Sequence, residues 1–246
     1  MNLRLITAMF FIVLVSLLVL SVFGLKSIHP TNRSTQNTNS VAVMVNENNL
    51  NQVTENTNVF INLNTATFPS MILKYSLPIT DFYNRVTKKP FGIYITPQTS
   101  PIQPEKFAGY HSGADAETTV TEQNVDIPVY AIMDGTVIFA GHVNGYGGFI
   151  AIKFTITGQT MITTYGHVRL SAVTLRVGDS VTSGEKIAIL GTGYSSETDG
   201  ERKHLHFGLI KGAALDYRGY VQSQSELSAW VDPVIWLKGK QATEPD

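Results

Sequence analysis

The chain contains six histidines, His29, His111, His142, His167, His204 and His206, and no cysteine. Without thiols, a cysteine nucleophile, a cysteine-type zinc site and a disulfide framework are all excluded. Any metal site must be built from His, Asp and Glu. In the run Lys203-His204-Leu205-His206-Phe207, side chains at i and i+2 of a strand share one face, roughly 7 Å apart. His204 and His206 then face one side while Leu205 and Phe207 enter the core. Two imidazoles on an open sheet face begin a metal site, although a half-exposed strand that happens to carry two histidines looks the same. His111 and Asp115 stand four apart, with Gly113 between them expected to permit a tight bend. One imidazole nitrogen and one carboxylate oxygen suit zinc at about 2.0–2.2 Å. In the strand-like run Thr163 to Val168, Tyr165 and His167 are expected to share a face, which brings His167 beside the same site. Together, His111, Asp115 and one of the His204/His206 pair leave the fourth tetrahedral position open for water, as in a catalytic zinc site. Two histidines remain to handle protons.

These residues need elements to hold them. From Phe68 to about Lys238, short apolar runs rich in Val, Ile, Phe and Tyr recur between Gly and Asp turns, as in Thr136 to Ala140, Phe149 to Phe154 and Lys186 to Leu190. This pattern predicts a mostly β domain of many short strands, with Asp134-Gly135 and Asn144-Gly145 as tight turns. Helical periodicity is confined to a short turn around Ser223 to Trp230. Residues 239–246 read as a polar tail. Before the domain, residues 27–67 alternate Asn with Thr, Ser and Gln, a composition too polar to offset its ordering entropy. This segment is expected to be a disordered linker, and His29 falls in it. Residues 1–26 contain the apolar stretch Leu5 to Leu25, which as a helix covers about 30 Å and would cross a bilayer core. A retained single-pass anchor is expected, with cleavage as a signal sequence the competing reading; either way the domain is exported. Lys plus Arg (18) nearly balances Asp plus Glu (19), so no nucleic-acid partner is expected.

The ordered segments His111-Ser-Gly-Ala-Asp115, Tyr165-Gly-His167 and His204-Leu-His206 resemble the HxxxD, YxH and HxH motifs of the M23 metalloendopeptidases, the LytM or lysostaphin-type peptidases. The intervening runs Ile127 to Gly141, Gly145 to Gly148 and Val177 to Gly191 are similar to the strand-and-turn segments of that family, so the resemblance extends over roughly Phe91 to Leu237. It implies an antiparallel β-sheet peptidase domain of the duplicated hybrid motif type with a loop-walled groove. It further implies zinc held by His111, Asp115 and His206, with His167 and His204 as catalytic residues beside it. The implied activity is hydrolysis of peptide bonds in the peptidoglycan stem or cross-bridge, outside the membrane. The alternative is a non-catalytic envelope module that binds peptidoglycan or activates other wall hydrolases. Tyr165 is a candidate oxyanion donor or a plain strand tyrosine. His142 matches no family position and reads as structural or surface. Residues 216–232 either shape a groove wall or form a packed excursion.

Overall fold

The computed structural model describes residues 74–245. The expected anchor (1–26) and linker (27–67) lie outside the described residues. Among the described residues, no helix is long and apolar enough to cross a membrane.

The strands, in chain order, are β1 (Tyr94–Ile95), β2 (Gly109–His111), β3 (Gly113–Glu117), β4 (Pro128–Tyr130), β5 (Gly135–Val143), β6 (Gly147–Ile156), β7 (Gln159–Gly166), β8 (Ser180–Val181), β9 (Lys186–Ile189), β10 (His204–Lys211) and β11 (Tyr220–Val221). A six-stranded sheet runs in the order β3-β10-β7-β6-β5-β8; β1-β2-β11 and β4-β9 form two smaller sheets. Every strand pair in them is antiparallel. The Asn144-Gly145 turn joins β5 to β6 with Gly145 at φ 87°, a left-handed conformation that glycine adopts without Cβ strain.

Strand alternation sorts β10 as the sequence suggests. Leu205 and Phe207 enter the principal core with Ala114, Ala116, Ile132, Ile150 and Tyr165. A second cluster on Phe149, Ile162, Ile210, Val221 and Trp230 covers other parts of the sheet, so β10 is buried along nearly its whole length. His204 and His206 are themselves buried, so they do not stand on the open sheet face expected.

Two features were not anticipated. Helix α1 (Phe82–Arg85) and helix α2 (Gln224–Leu227) are single turns, but α3 (Pro233–Gly239) is a seven-residue helix. Asp232 caps α3 by accepting from the Val234 and Ile235 amides, and Pro233 occupies the first turn, where its missing N–H costs nothing. The polar tail is docked: Thr243 bridges to Ser76, its carbonyl accepts from the Leu77 amide at 2.8 Å, and the Glu244 carboxylate accepts from the Asp81 amide.

Candidate metal centre

His206 faces Asp115 across the β10–β3 ladder and Gly166 across the β10–β7 ladder. His111 comes from a different sheet. The chain leaves β2 at His111, crosses at Ser112 and enters β3, so residues four apart reach one point from two sheets. Gly113 serves this crossing, but not as a bend. It is extended within β3, and a Cβ there would lie 2.6 Å from His206 Nε2 and 2.8 Å from the Phe207 carbonyl. The glycine is needed to let the His206 ring lie against the strand.

Three donor atoms converge. His111 Nε2 is 3.1 Å from His206 Nδ1, His206 Nδ1 is 3.1 Å from Asp115 Oδ1, and Asp115 Oδ1 is 3.3 Å from His111 Nε2. An edge of ~3.3 Å is the ligand–ligand spacing around a tetrahedral ion with bonds of ~2.0 Å. The remaining ring nitrogens are oriented to match. His111 Nδ1 donates to the Pro90 carbonyl at 3.2 Å, which leaves Nε2 with its lone pair inward. His206 Nε2 faces the Tyr146 hydroxyl at 3.4 Å, which leaves Nδ1 inward. Asp115 Oδ2 accepts from Arg202 Nη2 at 3.0 Å. Such outer partners orient metal ligands. Two imidazoles and one carboxylate, each with its other polar atom occupied, fit a zinc ion.

His204 and His167 complete the cluster. His204 Nδ1 donates to the Arg202 carbonyl at 2.8 Å, and Nε2 lies 3.3 Å from Asp115 Oδ2. His167 arrives by a route that alternation does not give. β7 ends at Gly166, and His167 adopts φ 64°, a left-handed conformation uncommon for a residue with a Cβ. The expectation that Tyr165 and His167 share a face is thus corrected. Tyr165 points into the principal core, while the turned backbone sends His167 to the opposite side, 4.3 Å ring to ring from His204.

All five side chains are buried. Burial, followed by the neighbouring His204, holds His167 well below the usual histidine range. Burial likewise pushes His206 down to about 4. Burial would raise the Asp115 carboxyl, but His204 and His111 together hold it well below the usual range. At neutral pH this yields an ionised carboxylate and neutral rings at His167 and His206, the protonation states a metal ligand or a proton acceptor needs. His167 Nδ1 is the buried side-chain polar atom without a partner among the described residues, and His167 lines a cavity beside the cluster.

That cavity has a volume of about 330 Å³ and lies over Asp115, His167, His204 and His206. Its walls are loops. Tyr217, Gly219 and Tyr220 form one side, so residues 216–232 do shape a wall; Trp230, from the same stretch, packs in the second core. Tyr220 stacks on His111 at 5.1 Å and 28°, and Phe107 stacks on Tyr220 at 5.5 Å and 17°. Lys89 and Glu105, both buried, pair beside this aromatic stack. His142 is exposed and takes no part. Sequence reasoning did not single out Tyr146, Arg202 or Lys89, whereas Tyr220 fell in the stretch read as a possible groove wall. Only Arg202 carried a readable signal: it stands two residues before His204, and Asp115 and Glu117 share a strand face.

Tyr165 is a structural residue. Its hydroxyl accepts from the Ile132 amide at 3.2 Å within the core, and burial raises it to about 12. Tyr165→Phe should leave turnover unchanged while lowering stability by about 1–3 kcal/mol, because the Ile132 N–H loses its only buried acceptor. Chemical denaturation alongside an activity assay checks both halves.

A mostly antiparallel β domain thus brings three convergent metal donors and two further histidines together. Residues 109–217 match the profile of Peptidase family M23, which supports an M23 peptidase domain in this part of the chain. An uncharacterised protein of Haemophilus influenzae is 39% identical over 97 residues, which are 39% of this chain and 21% of that protein. The chain thus spans about a fifth of the length of the curated relative it matches. Among solved structures, the catalytic domain of the antimicrobial peptidase lysostaphin from Staphylococcus simulans is 25% identical, covering 63% of this chain and 94% of that one, with a TM-score of 0.43. A zinc-containing peptidase from Vibrio cholerae is 22% identical, covering 56% of this chain and 37% of that one, with a TM-score of 0.37.

Proposed function

We propose that the chain is a zinc metalloendopeptidase acting on peptide bonds in the stem or cross-bridge of peptidoglycan. The observation that carries this reading is the donor triangle of His111 Nε2, Asp115 Oδ1 and His206 Nδ1, with edges of 3.1–3.3 Å and two further histidines beside it. Bound there, zinc supplies Lewis acidity toward the scissile carbonyl and lowers the pKa of water. The chain's own residues do the rest. His204 has its Nδ1 proton committed to the Arg202 carbonyl, so Nε2 is the atom that gains or gives a proton. His167, held neutral by burial, offers Nδ1 for the complementary transfer. Tyr217, Tyr220 and Phe107 line the groove, which can take an extended peptide backbone. The alternative, a non-catalytic envelope module, gives no role to His167 and His204, whose burial and orientation are costly to maintain without one. Incubating the zinc-loaded full chain with synthetic stem and cross-bridge peptides, followed by mass spectrometry, tests the reading. Two fragments that together exceed the parent by one water support it; intact peptides throughout count against it.

The apolar stretch Leu5 to Leu25 supports a domain outside the membrane, anchored by that stretch or secreted if it is cleaved. Washing membranes with alkali should leave the protein in the pellet. Recovery in the wash would sink the anchor.

A further inference from the structure

Asp115 has two carboxylate oxygens, and the centre uses one. Oδ1 lies 3.1 Å from His206 Nδ1 and 3.3 Å from His111 Nε2. Oδ2 is held on its other side by Arg202 Nη2 at 3.0 Å. The guanidinium is itself fixed, with Nε donating to Glu117 Oε2 at 2.9 Å and Nη2 also contacting Glu117 Oε1. Asp115 and Glu117 stand at i and i+2 of β3, so their carboxylates share a face, and the planar fork of one arginine spans both. Arg202 precedes β10, and its main-chain carbonyl takes the Nδ1 proton of His204 at 2.8 Å. A single residue thus meets a metal donor through its side chain and a proton-transfer histidine through its backbone.

We propose that Arg202 is a positioning residue that keeps Asp115 bound to the metal through one oxygen. By occupying Oδ2 it stops the carboxylate from rotating both oxygens inward, which would fill the open position a catalytic centre needs. Its positive charge is not the operative property, because Glu117 offsets it. The inference rests on the zinc reading above. A purely structural ion triad would make Arg202 matter for folding and for nothing else.

Two variants of the full chain separate these cases. Arg202→Lys keeps the charge and loses the fork. Arg202→Met combined with Glu117→Gln removes both charges, so the net charge around the centre is unchanged. Three quantities are read: zinc affinity by competition with a chromophoric chelator at one pH, the visible absorption of the cobalt(II)-substituted protein, and the melting of the metal-free protein. The wild type should bind one zinc per chain. Both variants should bind it about 10–100-fold more weakly, and their cobalt bands should lose intensity as the coordination number rises. If the double variant fails to fold, Arg202→Lys carries the test alone. Folded variants with wild-type affinity and an unchanged cobalt spectrum would overturn the inference. A wild type that binds no zinc would instead overturn the zinc reading on which it stands.

Discussion

Replacing His206 or Asp115 with alanine should yield a protein that no longer retains zinc and no longer cleaves. Each supplies one corner of a triangle whose edges are 3.1–3.3 Å, and two corners alone do not hold the ion in tetrahedral geometry. Metal polarisation is worth several kcal/mol of transition-state stabilisation, so kcat/KM should fall by at least on the order of 10³. The two substitutions should differ in stability. His206 packs edge-on against Tyr146 at 5.0 Å and over Gly113, so its removal leaves a cavity. Losing Asp115 strips a buried partner from Arg202, which then depends on Glu117 alone. Metal analysis of dialysed protein, with a melting curve of the metal-free form, separates lost binding from lost folding. Stoichiometric zinc in either variant contradicts the ligand assignment.

Substituting His204 or His167 should have the opposite signature: zinc retained, turnover reduced by about 10²–10⁴. Neither ring belongs to the donor triangle, yet their centroids lie 4.3 Å apart beside it. The rings differ in their freedom. His204 is tied through Nδ1 to the Arg202 carbonyl, whereas His167 Nδ1 has no partner among the described residues. The loss should therefore fall on kcat, with zinc content unchanged. Full turnover by either alanine variant removes that residue from the chemistry.

Much of this site was legible because strand alternation is a short-range rule. His204 and His206 flanking Leu205, with Phe207 inward, follow from a period of two, and the observed clusters agree. The rule failed where the strand stopped. Nothing local announces that β7 ends at Gly166 and that His167 takes φ 64°, so the alternation argument put Tyr165 and His167 on one face. Gly113 was noticed for its backbone freedom. Its function is steric, set by the ring of His206, which is far away in sequence. The same holds for Pro90, Tyr146 and Arg202, whose contacts depend on packing between distant segments. Helix α3 was readable and was missed: Asp232-Pro233 is a start signal, but seven residues are too few to establish a period. The docking of Thr243 and Glu244 was not readable, since polar composition describes a tail equally well when its backbone is paired.

The most direct test of the central claim uses purified peptidoglycan and counts new amino termini released by the zinc-loaded full chain, with a chelator control and His204→Ala in parallel. The account predicts release that the chelator stops and that His204→Ala lacks, although that variant still carries zinc. No release from walls of several cross-link types, or equal release with and without chelator, would contradict it.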